Sequence, residues 1–117
     1  MMNESEQAIA KVDRLCKLGE KLLGEVDYDL YDRWNDGALK VLDLIFGQSS
    51  EPYMSFRFPG GGEAADSRES RVKSAISQKL KVLGFVQQDI ADEELKPKFG
   101  WTQSDPEIED ELTGLGV

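Results

Sequence analysis

Residues 28–46, YDLYDRWNDGALKVLDLIF, decide the fold. Leu30, Trp34, Ala38, Val41, Leu42, Ile45 and Phe46 recur at steps of three and four, which gathers them on one broad helical face. Asp27, Asp29 and Asp32 crowd the first turn, where the partial positive charge of a helix N-terminus favours each acid by roughly 0.3–1 kcal/mol. Gly37 costs about 1 kcal/mol against Ala inside a helix. Its presence predicts a close neighbour or a bend there, and Gly47 is placed to close the helix.

Upstream, Ala8, Val12, Leu15, Cys16, Gly19, Leu22 and Leu23 repeat the same spacing, so a helix is expected over about 5–23. Asn3 and Glu6 are placed as a capping box, and Gly24 is expected to end the helix in the left-handed conformation. Downstream, Val72, Ala75, Ile76, Leu80, Leu83, Val86 and Ile90 predict a third helix, with Asp66 as N-cap and Gly84 as an interruption. Between the second and third helices, residues 48–63 carry Pro52, Pro59 and the run Gly60-Gly61-Gly62. The alternation of Tyr53, Ser55 and Arg57 with Met54, Phe56 and Phe58 suits a short extended segment, at most one edge strand.

The expected architecture is mainly α: a small antiparallel three-helix core with room for a fourth short helix, a long Pro/Gly/aromatic loop and an acidic C-terminal tail. The helical domain is assigned to residues 1–101, and 102–117 to a flexible acidic tail. Leu39, Leu44, Val82 and Phe85 fall off the main apolar faces. That surplus favours a protein partner, self-association into a homo-oligomer, or both.

Charge sharpens the picture. The 117 residues hold 23 acids, 14 bases and no histidine, a net charge of −9. Five of the acids, Asp105, Glu107, Glu109, Asp110 and Glu111, fall in the last segment without a base among them. Between Ser67 and Lys81 the sign reverses, with Arg68, Arg71, Lys73, Lys79 and Lys81 facing only Glu69. A net −9 repels a phosphate backbone, so nucleic acid is not an expected partner. Imitation of DNA charge is also disfavoured, because bases interleave with acids on every predicted helix.

Composition removes several chemistries. Without histidine, neither a Ser-His-Asp nor a Cys-His nucleophile can form, and one cysteine cannot supply the usual zinc site. Cys16 alone makes no intrachain disulfide, so nothing points to an oxidising compartment. No apolar run reaches the roughly 18 residues of a membrane span, and the acidic N-terminus is unlike a signal peptide. A cytoplasmic protein of a bacterial cell, without membrane attachment, catalytic residues, metal or cofactor, is expected.

Two constellations invite a ligand. The loop glycines Gly60, Gly61 and Gly62 lead into a helix start with Ser67, Arg68 and Arg71, and Arg57 lies just before them. Backbone N–H groups, the helix dipole and guanidinium forks together make an anion site, although the pattern lacks the Gly-Lys-Ser/Thr of a P-loop. Tyr28, Tyr31, Tyr53 and Trp101 are candidates to stack a base or to anchor a protein partner. The acids Glu25, Asp27, Asp29, Asp32 and Asp36 fail the EF-hand spacing and read as a solvated helix start.

The segments Leu15–Leu23 (LCKLGEKLL) and Arg33–Ser49 (RWNDGALKVLDLIFGQS) carry a resemblance. They resemble an all-helical N-terminal module of uncharacterised bacterial proteins, some encoded near anti-phage defence genes, over about Leu15–Phe56. The resemblance implies a helical fold and brings no catalytic residue. A free-standing acidic helical module is also the format of phage-encoded inhibitors and of sponges for nucleotide signals. The expected function is therefore a non-enzymatic binding module, in a defence or counter-defence setting, acting on a partner protein. The alternative is sequestration of an anionic, nucleotide-type small molecule by the triple-glycine loop and its arginines.

Overall fold

The computed structural model describes residues 4–58, 67–95 and 101–116. They form α1 (Glu4–Gly24), α2 (Tyr28–Phe46), α3 (Glu51–Arg57), α4 (Arg68–Ala91) and α5 (Trp101–Gly114), with no strand among the described residues. The fold is mainly α. α1 is the central wall and packs against α2, α4 and α5; α3 bridges α2 and α4, and α5 bridges α1 and α2.

Pairings along the chain fix the directions. Gly19 of α1 faces Trp34 of α2 and Leu80 of α4, while Ile9 of α1 meets Gln87 of α4. α4 therefore runs antiparallel to α1, and α2, which meets α4 through Tyr28–Arg68 and Asn35–Lys79, runs parallel to α4 and so also antiparallel to α1. Lys40 pairs with Glu111, and Gly37 lies under Leu115, so α5 runs antiparallel to α2.

Local chemistry explains the boundaries. Asp27 caps α2 by accepting from the Leu30 N–H at 3.1 Å, and Gly47 closes that helix at φ 94° with its N–H on the Asp43 carbonyl. Ser67, rather than Asp66, caps α4 through the Ser70 N–H at 3.1 Å. Asp66 and the expected cap Asn3 lie outside the described residues. Gly24 is the last residue of α1 but has no positive φ, so the expected left-handed stop is not what ends that helix.

Two expectations need correction. The segment expected to be extended is instead the short helix α3, with Phe58 as its C-cap. Ser50 accepts from the Tyr53 N–H and Pro52 sits in the first turn, which starts a helix and puts Pro52, Tyr53 and Phe56 on one buried face. The acidic segment expected to be a flexible tail from residue 102 is α5. Its Ile108 and Leu112 are buried to about 1% exposure or less, and Leu115 is half-buried one turn further on. Three apolar side chains at steps of four and three give this segment a core face, despite its low hydrophobicity. Lys11 and Arg14 of α1 both reach Glu109 Oε1, at 2.9 and 2.8 Å, which offsets the one-signed charge.

The core gathers around Trp34, which is fully buried among residues that include Leu15, Leu22, Leu42, Phe56 and Leu83. Each such side chain contributes roughly 1.5–3 kcal/mol by leaving water. The Trp34 ring meets Phe56 edge-on at 5.6 Å and Tyr31 at 6.1 Å. Of the side chains that fell off the predicted faces, Leu39, Leu44 and Val82 pack against the core from its edge, whereas Phe85 stays in solvent.

Candidate functional site

Only three large apolar side chains among the described residues are exposed: Met54 at 45%, Phe58 at 63% and Phe85 at 69%. α3 and α4 hold or adjoin all three. Phe58 and Phe85 line a groove of about 390 Å³ between these helices, together with Pro52, Val82 and Val86, and Glu51 and Asp89 supply acids on its walls. Met54 lies one helical turn before Phe58.

The groove follows from how α3 is held. Phe56 points into the core against Trp34, so Met54 and Phe58, two residues to either side, face outward. On α4 the buried series Ile76, Lys79, Leu83, Val86 and Ile90 fixes one face toward the core, which turns Lys81, Gly84, Phe85 and Gln88 to solvent.

The residues expected to hold an anion are distributed as follows. Gly60, Gly61 and Gly62 lie outside the described residues. Ser67 is occupied as the cap of α4, accepting from the Ser70 N–H and donating to the Ser70 hydroxyl at 3.0 Å. Arg57 lies over the Phe58 ring at 5.2 Å, and Arg71 is exposed. Arg68 lies over the Tyr28 ring at 4.1 Å, joining the start of α4 to the start of α2.

The aromatic candidates do not converge. Tyr53 is buried at 8% exposure and Tyr31 is half-buried against Trp34, so both serve packing. Burial and the neighbouring Asp32 push the Tyr31 phenol above its ordinary range. Tyr28 alone of the three tyrosines meets one of the arginines. Trp101 opens α5, and its side chain lies outside the described residues. Among the described residues no three acidic or cysteine side chains are grouped so as to hold a metal ion.

Two polar groups, Lys79 and Cys16, lie wholly or partly inside the fold. Lys79 is only 6% exposed; its amine donates to Asn35 Oδ1 and lies 4.7 Å from the Phe56 ring centre. Burial lowers its pKa, with Asp36 opposing. The amine thus has partners inside the chain and holds α4 to α2 and α3. Its position on the series 76, 79, 83 is visible in the sequence and places Lys79 on the buried face of α4 rather than with the solvated basic residues. Cys16 is half-buried beside Gln87, 3.9 Å from Oε1, and burial with Asp13 and Glu20 raises its thiol to about 11. Such a thiol is almost wholly protonated at neutral pH and is a poor nucleophile.

No helix among the described residues is long and apolar enough to cross a membrane. Comparison with protein-family models, curated proteins and solved structures gives no match to this chain.

Proposed function

We propose that the protein is a non-enzymatic interaction module that binds protein through the α3–α4 face. The observation that carries this reading is that Phe58 and Phe85, the two most exposed large apolar side chains among the described residues, line one groove between α3 and α4. A large exposed aromatic beside a groove is the usual anchor of a protein contact. The lack of histidine and the protonated Cys16 thiol support a non-enzymatic role. The lone cysteine supports an intracellular one. The resemblance to modules encoded near anti-phage genes supplies the setting in which partners are first sought.

The test compares proteins retained from bacterial lysate by the wild type and by a Phe58→Ser/Phe85→Ser variant. Both side chains are exposed, so the variant keeps its thermal midpoint. Loss of specific retention supports the reading; identical retention by the two proteins refutes it.

One observation favours the anionic-ligand alternative: Arg68 and Tyr28, assigned to a phosphate and to base stacking, do meet. Calorimetry against a panel of nucleotides tests it. Binding that is lost in Arg68→Ala/Arg71→Ala supports this alternative, and absence of binding removes it.

A further inference from the structure

Gly84 stands apart from the other interior glycines of long helices. A Cβ on Gly19 would lie 2.6 Å from Leu80 Cδ2 and 2.8 Å from Trp34 Cζ2, and one on Gly37 would lie 2.8 Å from Leu115 Cδ1. Both glycines are therefore explained by neighbours inside the fold. A Cβ on Gly84 would meet nothing within 4 Å, yet glycine there costs about 1 kcal/mol of helix stability against alanine. Among the described residues no neighbour gives a reason for this glycine. A close approach from outside does, because glycine lets a second helix backbone come near.

The residues around Gly84 specify what approaches. Phe85, the most exposed large apolar side chain among the described residues, adjoins it. Lys81 lies one turn before Phe85 and Asp89 one turn after it, and neither forms an ion pair among the described residues. This order, basic then aromatic then acidic at equal steps, is its own complement when reversed. Two copies of α4 laid antiparallel across a two-fold axis near Phe85 would place Lys81 of each against Asp89 of the other, about 6 Å along the helix on either side.

We infer that the α4 face of Lys81, Gly84, Phe85 and Asp89 binds a second copy of this chain as an antiparallel, two-fold dimer. The inference rests on the proposed interaction face and names its occupant. Phe85 of each copy packs over Gly84 of the other, and Phe58 and Met54 border the contact from α3. Two reciprocal ion pairs set the register and oppose the repulsion between chains of net charge −9.

Sedimentation equilibrium on the intact protein tests this. The wild type is expected at about twice 13.1 kDa at tens of micromolar. Phe85→Ser and Gly84→Leu are expected to shift it to monomer, with unchanged circular dichroism because both sites are exposed. Lys81→Glu alone weakens association at least tenfold, as does Asp89→Lys alone, and the Lys81→Glu/Asp89→Lys double variant restores it. A wild type that stays monomeric to about 200 micromolar, where a dimer with a Kd of about 1 micromolar would be almost fully formed, overturns the inference. So does a dimer indifferent to Phe85→Ser, or a double variant no better than its singles. If the monomer's retention of a different protein depends on Phe58 and Phe85, the dimer fails while the wider interaction reading stands.

Discussion

The indole nitrogen of Trp34 donates to the backbone carbonyl of Leu15 at 2.9 Å, across the boundary between α2 and α1. Gly19, one turn along α1 from Leu15, leaves the space through which the ring reaches that carbonyl. A buried tryptophan needs a partner for its N–H, and here the partner is reached because a side chain is missing.

Gly19→Ala is therefore expected to destabilise the protein by about 1–3 kcal/mol, since the rigid Trp34 ring cannot withdraw as the Leu80 tip can. Gly37→Ala meets only the movable end of Leu115 and gains helix propensity, so its cost is smaller, within about 1 kcal/mol of zero. Urea unfolding followed by tryptophan fluorescence compares the two.

Leu112→Ala in α5 is expected to cost about 2–5 kcal/mol, the range for a fully buried leucine. Met54→Ala on the exposed face of α3 is expected to change stability by less than about 0.5 kcal/mol. Thermal unfolding of both variants distinguishes a docked α5 from a loose one.

Glu109 links acid stability to the same helix. Hydrogen bonds and charge from Lys11 and Arg14 hold its carboxyl below the ordinary 4.5. A depressed carboxyl stabilises the fold above its unfolded value, and that contribution disappears as pH falls through the folded value. The thermal midpoint of Glu109→Gln is expected to lie below that of the wild type at neutral pH and to converge with it as pH falls through the folded value.

At Lys79 burial disfavours the charged form instead of favouring it, yet the pH slope has the same sign as at Glu109. The folded pKa of Lys79 lies below the ordinary 10.5, so between the two values the unfolded chain binds more protons and stability rises with pH. Lys79→Met removes a desolvated charge and is expected to stabilise the fold by about 1 kcal/mol at neutral pH. Its advantage over the wild type shrinks as pH rises toward 10.5, which thermal scans at several pH values measure.

The three long helices were legible because each carries its apolar residues at helical steps over four or more turns. α2 in particular matches its expected limits, with Asp27 and Gly47 as visible punctuation. α3 was obscured because alternation over six residues mimics a strand, although Ser50 and Pro52 announce a helix start. α5 was obscured because Ile108, Leu112 and Leu115 are few among many acids, and their counter-charges on Lys11, Arg14 and Lys40 lie far away in sequence. The surplus of apolar residues was legible, but not which of them would remain outside. Val82 and Phe85 differ by one turn of helix, and only tertiary packing decides that one is covered and the other is not.

The contact from Lys11 to Glu109 joins positions 98 apart and ties α5 to α1. Until α5 docks, the surfaces of α1 and α2 that receive Ile108 and Leu112 stand open to water. An interrupted or nicked chain would thus carry its own mark of incompleteness, a fresh apolar strip of the kind that proteases and chaperones engage. The docking of α5 is what keeps that strip covered.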